Sequence, residues 1–314
     1  MNSLEKQQEK PPILITEVGP RDGLQNEATS LSLTTKVQFI NALSKTGVPE
    51  IEAGAFVSPK AIPKMADSDE VFRNISKIEG VTYSALVPNE RGLDRALDVG
   101  VQKVAVFTAA SNSFTLHNIH STVEESINRL RPVVVRARRN NLKTRGYIST
   151  AVFCPYEGRI PPSRVVDVMR QLVALGIEEI ALGETLGKAS PRDISLLLDH
   201  VYAEVPTVRI VLHLHDTYGM AIANARTAWQ QYGVVNFDAS AGGLGGCPYA
   251  PGASGNVATE NLVSAFKASG AIVSVDETRV VEAARPIFKE LGRNMLSKPF
   301  NVAEATGKVR LAAP

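Results

Sequence analysis

A short unit recurs along this chain: an amphipathic stretch, then a glycine, then a brief apolar run. The glycines of the unit are Gly47, Gly80, Gly100, Gly176 and Gly233. A helix that ends on a left-handed glycine and continues into a buried strand gives this pattern. The repeated unit therefore predicts helices that alternate with strands, as in α/β proteins.

Apolar spacing before three of these glycines predicts helices, because residues three or four apart share one helix face. The sets are Val37, Ile40 and Leu43; Val71, Ile75 and Ile78; and Val165, Val166, Met169, Leu172 and Val173. Pro161 and Pro162 favour a helix start before the third set. Thr122 and Glu125 have the spacing of a capping box at the start of a further helix.

Eight apolar runs predict the strands, at residues 13–18, 50–54, 82–87, 104–107, 147–153, 179–183, 210–213 and 234–239. The runs are continuous rather than alternating, which is typical of strands buried on both faces. Eight such units in about 250 residues predict a closed (β/α)8 TIM barrel, with an open doubly wound sheet as the alternative. We expect one domain over residues 13–314, extra C-terminal helices from about residue 256, and a flexible leader over residues 1–12.

Composition excludes several other classes of protein. With 21% charged residues and a net charge of +2, the composition gives no case for a nucleic-acid surface, and it leaves room for a local pocket that binds an anionic ligand. It lacks an apolar run of roughly 18 residues, so no membrane span is expected. Its two cysteines, Cys154 and Cys247, form no CxxC pair, which favours a reducing compartment over a disulfide scaffold. The polar start resembles neither a signal nor a transit peptide, so we predict a cytoplasmic protein.

Polar residues collect where the predicted strands end, and in barrels of this kind the chemistry lies at the carboxyl ends of the strands. The residues are Arg21 and Asp22 after strand one, Glu52 at the end of strand two, Glu184 and Thr185 after strand six, and His213 and His215 at strand seven. We therefore expect them at one mouth of the barrel.

His213 and His215 give the strongest single signal for chemistry. Residues i and i+2 of a strand point to the same side, so both imidazoles can reach one cation. Asp22 is the natural carboxylate to complete the set, and such a mixture of ligands suits Mg²⁺, Mn²⁺ or Zn²⁺. The alternative is a hydrogen-bonded histidine pair that closes the barrel.

Arg21 adjoins Asp22, and its guanidinium could clamp a carboxylate or stabilise an enolate oxygen. The alternative is a structural ion pair with Glu52. Glu52 itself could orient Arg21 or help to move a proton, and a buried structural carboxylate is the competing interpretation.

Residues 242–256, GGLGGCPYAPGASGN, hold six glycines in fifteen positions. Such a segment can serve as a mobile lid, and it would bring the thiol of Cys247 to the mouth as an acid or base. It lacks the ending of a phosphate-binding P-loop. The alternative for Cys247 is a small buried apolar residue, and for Cys154 we expect a role in loop packing.

Five motifs together resemble the 3-hydroxy-3-methylglutaryl-CoA lyase family, in order from about Ile13 to near the end of the chain. They are EVGPRDGLQNE (17–27), FVSPK (56–60), CPYEG (154–158), HLHDTYG (213–219) and GLGGCPYA (243–250).

The resemblance implies cleavage of 3-hydroxy-3-methylglutaryl-CoA to acetyl-CoA and acetoacetate by a homodimer. It implies a divalent cation, Mg²⁺ or Mn²⁺, on Asp22, His213 and His215, with Asn256 in or near its shell. Arg21 would stabilise the enolate, Cys247 would donate a proton to it, and Glu52 would support Arg21 and the proton relay. The residues expected to contact the acyl-CoA substrate are Arg21, Ser149, Glu184 and Thr185.

Three positions depart from the family pattern. Ala55 and Ala181 stand where many relatives have serine, and Glu184 stands where they have aspartate. We expect all three at strand ends, where two lost hydroxyls would remove hydrogen bonds near the acyl group. The departures predict either tolerated drift or the same cleavage of a different branched 3-hydroxyacyl-CoA. A related condensation or aldol reaction and a non-enzymatic ligand-binding role are further alternatives.

Overall fold

The computed structural model describes residues 11–246, 255–295 and 297. Eight parallel strands, numbered along the chain, form a closed barrel in which each strand pairs with its chain neighbours and β8 pairs with β1. They are β1 (Leu14–Glu17), β2 (Glu50–Ala55), β3 (Thr82–Leu86), β4 (Lys103–Ala109), β5 (Lys143–Ser149), β6 (Glu179–Glu184), β7 (Arg209–Leu214) and β8 (Asn236–Ala239). Closure confirms the predicted (β/α)8 barrel and excludes the open sheet.

Helices follow every strand of the barrel. They are α1 (Leu33–Leu43), α2 (Ser68–Asn74), α3 (Glu90–Asp98), α4 (Asn112–Ile119), α5 (Val123–Arg139), α6 (Pro162–Ala174), α7 (Pro191–Glu204), α8 (Ala221–Tyr232), α9 (Thr259–Ala268) and α10 (Glu277–Leu291). Both α4 and α5 follow β4, and α9 and α10 follow β8, so the described chain contains the expected C-terminal helices. A short antiparallel hairpin pairs Phe153–Cys154 with Gly158–Arg159 after β5.

Local sequence signals account for most helix ends. All five glycines of the recurring unit have a positive φ, from 68° at Gly100 to 92° at Gly176. Gly80 nevertheless ends no helix, because α2 ends at Asn74. At Gly47 a Cβ would also lie 2.5 Å from the carbonyl oxygen of Ser274, so glycine is required there for space as well. The capping box of Thr122 and Glu125 is present at the start of α5, and α6 begins at Pro162 as predicted.

Strand β5 begins and ends four residues earlier than the sequence predicted. Its first residues include Arg145, whose charge hid the strand from a search for apolar runs. Arg145 points into the barrel, where Asp238 and Glu179 pair with it, so a cation can occupy this strand. Thr150 then takes a φ of 56°, which ends the strand.

Helix α2 ends at Asn74, although the apolar spacing extended the predicted helix to Ile78. Ile75 already has extended backbone angles. The next backbone N–H groups bond side chains instead of helix carbonyls: Ser76 donates to Asn41 at 2.8 Å and Ile78 donates to the Tyr83 hydroxyl at 3.0 Å. These bonds from neighbouring elements replace the last helical turn.

The core lies between the strands and the surrounding helices, with Phe39, Phe56, Phe237 and Phe266 among its largest fully buried side chains. Across the described ranges, none of the helices is both long and apolar enough to cross a membrane. The predicted leader falls almost entirely outside those ranges; only Pro11 and Pro12 are described, and both are exposed.

Candidate active site

A tight π-helical turn, Gly19–Gly23, follows β1 and carries Arg21 and Asp22. The carbonyl oxygen of Val18 accepts from the backbone N–H groups of Arg21, Asp22 and Gly23 at 2.8–3.2 Å. Glu17 accepts from the Gly19 N–H at 2.8 Å. The protein's own hydrogen bonds therefore fix this turn and place the two charged side chains next to each other.

Arg21 is buried between two carboxylates. Its Nε lies 2.9 Å from Glu52 Oε2, and one terminal nitrogen lies 2.7 Å from the same oxygen. The other terminal nitrogen lies 2.7 Å from Asp22 Oδ1. Burial disfavours the cation, but Glu52 and Asp22 outweigh it and raise the pKa of Arg21. The pair with Glu52 that the sequence offered as an alternative is thus present.

Asp22, His213 and His215 meet at the mouth of the barrel. Each offers a ligand atom within 4.8 Å of the others, and His213 Nε2 lies 3.9 Å from Asp22 Oδ2. Asn256 holds that same oxygen with a 2.8 Å hydrogen bond from its amide nitrogen. Although burial works against the charge of Asp22, Arg21 and His213 lower its pKa to about 2.

The chemistry of this group fits a divalent cation. It combines one anionic oxygen with two imidazole nitrogens, a ligand mixture used by Mg²⁺, Mn²⁺ and Zn²⁺ sites. Burial, together with His213, lowers the pKa of His215 to about 4, so its lone pair is available at neutral pH. Its buried Nδ1 has no hydrogen-bond partner among the described residues. In His213, by contrast, the ring nitrogen Nδ1 has a carboxylate partner, Asp238. Metal-bound histidines usually have such a partner at the nitrogen that does not bind the metal.

Five charged residues below the mouth form what we call the inner ion network: Glu50, Lys103, Arg145, Glu179 and Asp238. Lys103 lies 2.8 Å from Glu50 and 2.6 Å from Glu179, while Arg145 bonds Glu179 and lies 2.8 Å from Asp238. Sequence reasoning missed all five. Their signal was the presence of charges within strands that are otherwise apolar and buried on both faces.

Tyr147 connects the network to Arg21 and was also missed. Its hydroxyl donates to Glu52 at 3.2 Å and lies 3.3 Å from an Arg145 nitrogen, and the Arg21 guanidinium lies 5.5 Å from its ring centre. Burial and the nearby Asp238 raise the pKa of Tyr147, which keeps it a neutral donor. Only its position two residues after Arg145, on the same strand face, could have indicated it.

The residues predicted to contact substrate are less closely grouped. Ser149 ends β5 and is half-buried. Thr185 Oγ1 accepts from the Thr150 N–H at 2.8 Å, so its hydroxyl joins two strand ends. Glu184 is buried, and among the described residues neither carboxylate oxygen has a partner at hydrogen-bond geometry. Burial raises its pKa to about 7, against the backbone N–H groups of Lys188, Ala189 and Gly187, which favour the charged form.

The three departures from the family pattern do not all lie at strand ends. Ala55 and Glu184 are the last residues of β2 and β6, as predicted. Ala181 lies in the middle of β6, beside Tyr147 and Val211 of its neighbours, so its predicted position was wrong. Glu52 likewise precedes the end of β2, which continues past a register shift to Ala55.

The described ends of the glycine-rich segment are bonded together. The Gly245 N–H donates to Glu27 at 3.0 Å, the Gly255 N–H donates to the Gly245 carbonyl at 3.0 Å, and the Asp216 N–H donates to the Gly255 carbonyl at 2.7 Å. Cys247 lies outside the described residues. Cys154 is buried with its Sγ 3.0 Å from Ser111 Oγ, in agreement with a packing role.

Comparison with known proteins places this barrel among its relatives. The profile of the family described as HMGL-like matches residues 12–287. The chain belongs to the HMGL-like family. One relative in it, rat "3-hydroxy-3-methylglutaryl-CoA lyase, cytoplasmic", is 46% identical over 299 residues, which cover 95% of this chain and 86% of the relative. Other relatives are named as mitochondrial lyases.

Solved structures of HMG-CoA lyases match this barrel. The HMG-CoA lyase of Bacillus subtilis matches with a TM-score of 0.92 and 42% identity, over 94% of this chain and 99% of that one. An HMG-CoA lyase from Acinetobacter baumannii, in complex with coenzyme A and 3-methylmalate, matches with a TM-score of 0.87 and 34% identity, over 96% and 97% of the two chains.

Proposed function

We propose that this protein is a divalent-metal-dependent lyase that cleaves 3-hydroxy-3-methylglutaryl-CoA to acetyl-CoA and acetoacetate. The observation that carries the proposal is the position of Asp22. One of its oxygens faces Arg21 and the other faces His213 and Asn256. A cation and a guanidinium would therefore act on neighbouring atoms of one substrate. Relatives named as lyases, at 44–46% identity over 95% of this chain, support the same reaction.

Asp22, His213 and His215 would hold the cation, Mg²⁺ or Mn²⁺, and Asn256 would stand beside it. When bound, the cation supplies Lewis-acid polarisation of the substrate oxygens and a template for their orientation. Asn256 orients Asp22 with or without the cation, because its amide nitrogen donates to the Asp22 oxygen that faces the histidines.

The reaction needs a base, a stabiliser of the enolate and an acid. A base removes the proton of the 3-hydroxyl, the C2–C3 bond breaks, C3 becomes the ketone of acetoacetate, and the bonding electrons form the enolate of acetyl-CoA. Arginine has five N–H groups, and the contacts of Arg21 with Glu52 and Asp22 use three of them. Among the described residues, these contacts leave two N–H groups to stabilise the enolate oxygen.

Cys247 would return a proton to the enolate carbon and complete acetyl-CoA. Glu52 keeps Arg21 in place, and burial raises its pKa, so it is suited to hold or pass a proton. Arg21, Asp22, Glu52, His213 and Cys247 are thus the proposed catalytic set.

A second candidate is the same cleavage of another branched 3-hydroxyacyl-CoA. Glu184 favours it, because a buried carboxyl with a pKa of about 7, which no described side chain bonds, can donate to or accept from a substrate group. Together with Ser149 and Thr185, it would contact the acyl portion of the thioester. The structural relative that holds coenzyme A supports an acyl-CoA for either candidate.

Assembly, domain organisation and location complete the proposal. We infer a homodimer, a single catalytic domain over residues 13–314, and a cytoplasmic location. Relatives are named for both the cytoplasm and the mitochondrion, and cell fractionation would distinguish the two locations.

The deciding experiment supplies reduced protein with Mg²⁺ and 3-hydroxy-3-methylglutaryl-CoA and measures acetyl-CoA and acetoacetate. We expect both products in equal amounts from the wild type and none from His213→Ala or Cys247→Ala. Cys154→Ala is the matched control, because Cys154 also lies in a Cys-Pro-Tyr triplet but packs in a loop; it should retain activity.

Failure of the metal-loaded wild type to form product would contradict the named substrate. A panel of 3-hydroxy-3-alkyl acyl-CoA thioesters would then test the second candidate. Turnover of the methylglutaryl thioester that equals or exceeds all others would remove the case for a changed substrate.

A further inference from the structure

We propose that Asp238, itself held by Arg145, is a positioning residue that fixes the tautomer of His213. In this assignment His213 carries its proton on Nδ1 and directs the bare Nε2 toward Asp22 and His215. The inference deepens the proposed function, because it rests on the metal site proposed there.

Asp238 sits directly behind His213 on the neighbouring strand. The two residues are register partners of β8 and β7. Asp238 is 1% exposed, and its Oδ2 lies 3.2 Å from His213 Nδ1. On the other side of the ring, Nε2 lies 3.9 Å from Asp22 Oδ2. The imidazole therefore lies between two carboxylates, with Asp238 on the Nδ1 side and Asp22 on the Nε2 side.

An ionised carboxylate can only accept hydrogen bonds, so the nitrogen that faces Asp238 must carry the proton. A neutral imidazole has one N–H, and its other nitrogen then presents a lone pair. Here that nitrogen is Nε2, on the side of Asp22 and His215. Asp238 thus selects the tautomer able to bind a cation at the mouth.

Arg145 determines which oxygen of Asp238 faces His213. One of its terminal nitrogens donates to Asp238 Oδ1 at 2.8 Å, which leaves Oδ2 for the imidazole. The other terminal nitrogen donates to Thr16 on β1 at 2.9 Å, and Nε bonds Glu179. The guanidinium is thereby fixed by β1, β6 and β8 and cannot turn away from Asp238.

Asp238→Asn is the sharpest test, since it keeps the shape of the side chain. Arg145 can only donate, so the amide oxygen must face Arg145 and the amide NH₂ must face His213. His213 Nδ1 then has to accept, and the proton moves to Nε2, the nitrogen that should bind the metal. The variant is expected to invert the tautomer and weaken Mn²⁺ binding roughly 10–100-fold.

Two readouts follow the change without an activity assay. Free Mn²⁺ measured by electron paramagnetic resonance gives the affinity. Nitrogen-15 NMR of metal-free, histidine-labelled protein, at a pH where the ring is neutral, gives the tautomer, and with five histidines the His213 signal can be assigned through His213→Gln. Glu179→Gln is the matched control, because it alters the same network at Arg145 and Lys103 without touching His213.

The proposal predicts an Nδ1–H tautomer in the wild type, an Nε2–H tautomer in Asp238→Asn, and wild-type Mn²⁺ affinity in Glu179→Gln. An Nε2–H tautomer in the wild type overturns it, whether or not the variant folds. A folded Asp238→Asn protein with unchanged Mn²⁺ affinity overturns it as well. Absence of Mn²⁺ binding by the wild type would instead refute the proposed metal-dependent function, and the wild-type tautomer would still decide the role of Asp238.

Discussion

The inner ion network and the group at the mouth are both buried and charged, yet they are built differently. In the network, Lys103 and Arg145 each contact carboxylates of opposite charge. At the mouth, a buried nitrogen of His215 and one oxygen of Glu52 have no partner in the described part of the chain. One oxygen of Glu50 in the network also lacks a partner there, so the difference between the two regions is the nitrogen of His215. A buried polar atom without a partner in a folded protein calls for an explanation, and a ligand site at the mouth supplies one for His215.

The largest effect is expected from a substitution at the mouth that leaves the inner ion network unchanged. His215→Leu removes one proposed metal ligand and replaces a buried, unpartnered nitrogen by apolar atoms of similar volume. Loss of the cation would remove several kcal/mol of transition-state stabilisation, or on the order of a thousandfold in kcat/KM. The free energy of unfolding, measured in urea without metal, should stay within about 1 kcal/mol of the wild type.

The same variant can contradict the assignment of His215 to a ligand site. A loss of about 3 kcal/mol or more in stability, with Mn²⁺ affinity and turnover unchanged, would assign His215 to the structure rather than to the site. His200 provides the control: it is exposed on α7, so His200→Leu should change neither turnover nor Mn²⁺ affinity.

The next largest effect is expected from a substitution within the inner ion network. Arg145→Met keeps the length of the side chain but leaves Asp238 and Glu179 with less opposing charge in the barrel interior. Removing one partner of a buried ion pair costs about 3–5 kcal/mol. We expect that loss in the urea-derived free energy of unfolding at neutral pH, with a smaller loss for Arg145→Lys, which retains the charge. A loss below about 1 kcal/mol for Arg145→Met would show that the network does not stabilise the barrel.

The two regions also differ in how well the sequence predicted them. His213 and His215 could be paired because the period of a strand is local, and Asp22 could be added because parallel strands end at one mouth. Arg145 and Asp238 lie 93 residues apart, and only the closure of the barrel brings them together. No local rule predicts that contact: Asp238 falls within the predicted strand at residues 234–239, whereas the search for apolar runs left Arg145 outside the predicted strand at 147–153.

The ends of helices and strands show the same difference between local signals and tertiary contacts. Glycines such as Gly176 mark the connection between helix and strand, because a left-handed residue is a local requirement. Helix α2 was predicted too long because the hydrogen bonds that replace its last turn come from Asn41 and Tyr83, on other elements. The end of α2, which tertiary contacts set, was therefore missed, whereas the boundary marked by Gly176 was found. The end of β5 was missed too, because the left-handed residue there is Thr150 and not a glycine.

A third prediction concerns Glu17, a buried carboxylate that, unlike those of the inner ion network, has no cation beside it among the described residues. Within residues 11–246 and 255–295, the donors to Glu17 are all neutral: the N–H groups of Gly19 and Ala241 and the hydroxyl of Thr259. Burial raises its pKa from 4.5 to about 7. Asp238 is equally buried, but Arg145 overcomes that burial and lowers its pKa.

The sign of the effect of Glu17 on stability follows from its raised pKa. Between pH 4.5 and about 7 the folded protein binds more protons than the unfolded chain, so this group lowers the free energy of unfolding as pH rises, by about 3 kcal/mol in all. Glu17→Gln removes the proton exchange and can still bond Thr259. In urea titrations at pH 5 and pH 8, we expect the variant to gain stability relative to the wild type at the higher pH. An equal pH slope for the two proteins would mean that Glu17 does not titrate in this range.

The smallest effect belongs to an ion pair that solvent reaches. Arg73 and Asp98 lie 2.6 Å apart, as close as the pairs of the inner ion network, but their side chains are 52% and 67% exposed. Water screens such a pair, and fixing two long side chains opposes the Coulomb attraction, so the coupling should be about 0.2–1 kcal/mol and fall with added salt. A double-mutant cycle of Arg73→Ala and Asp98→Ala measures it. Coupling as large as the loss in Arg145→Met would show that distance, rather than burial, decides what these charges contribute to stability.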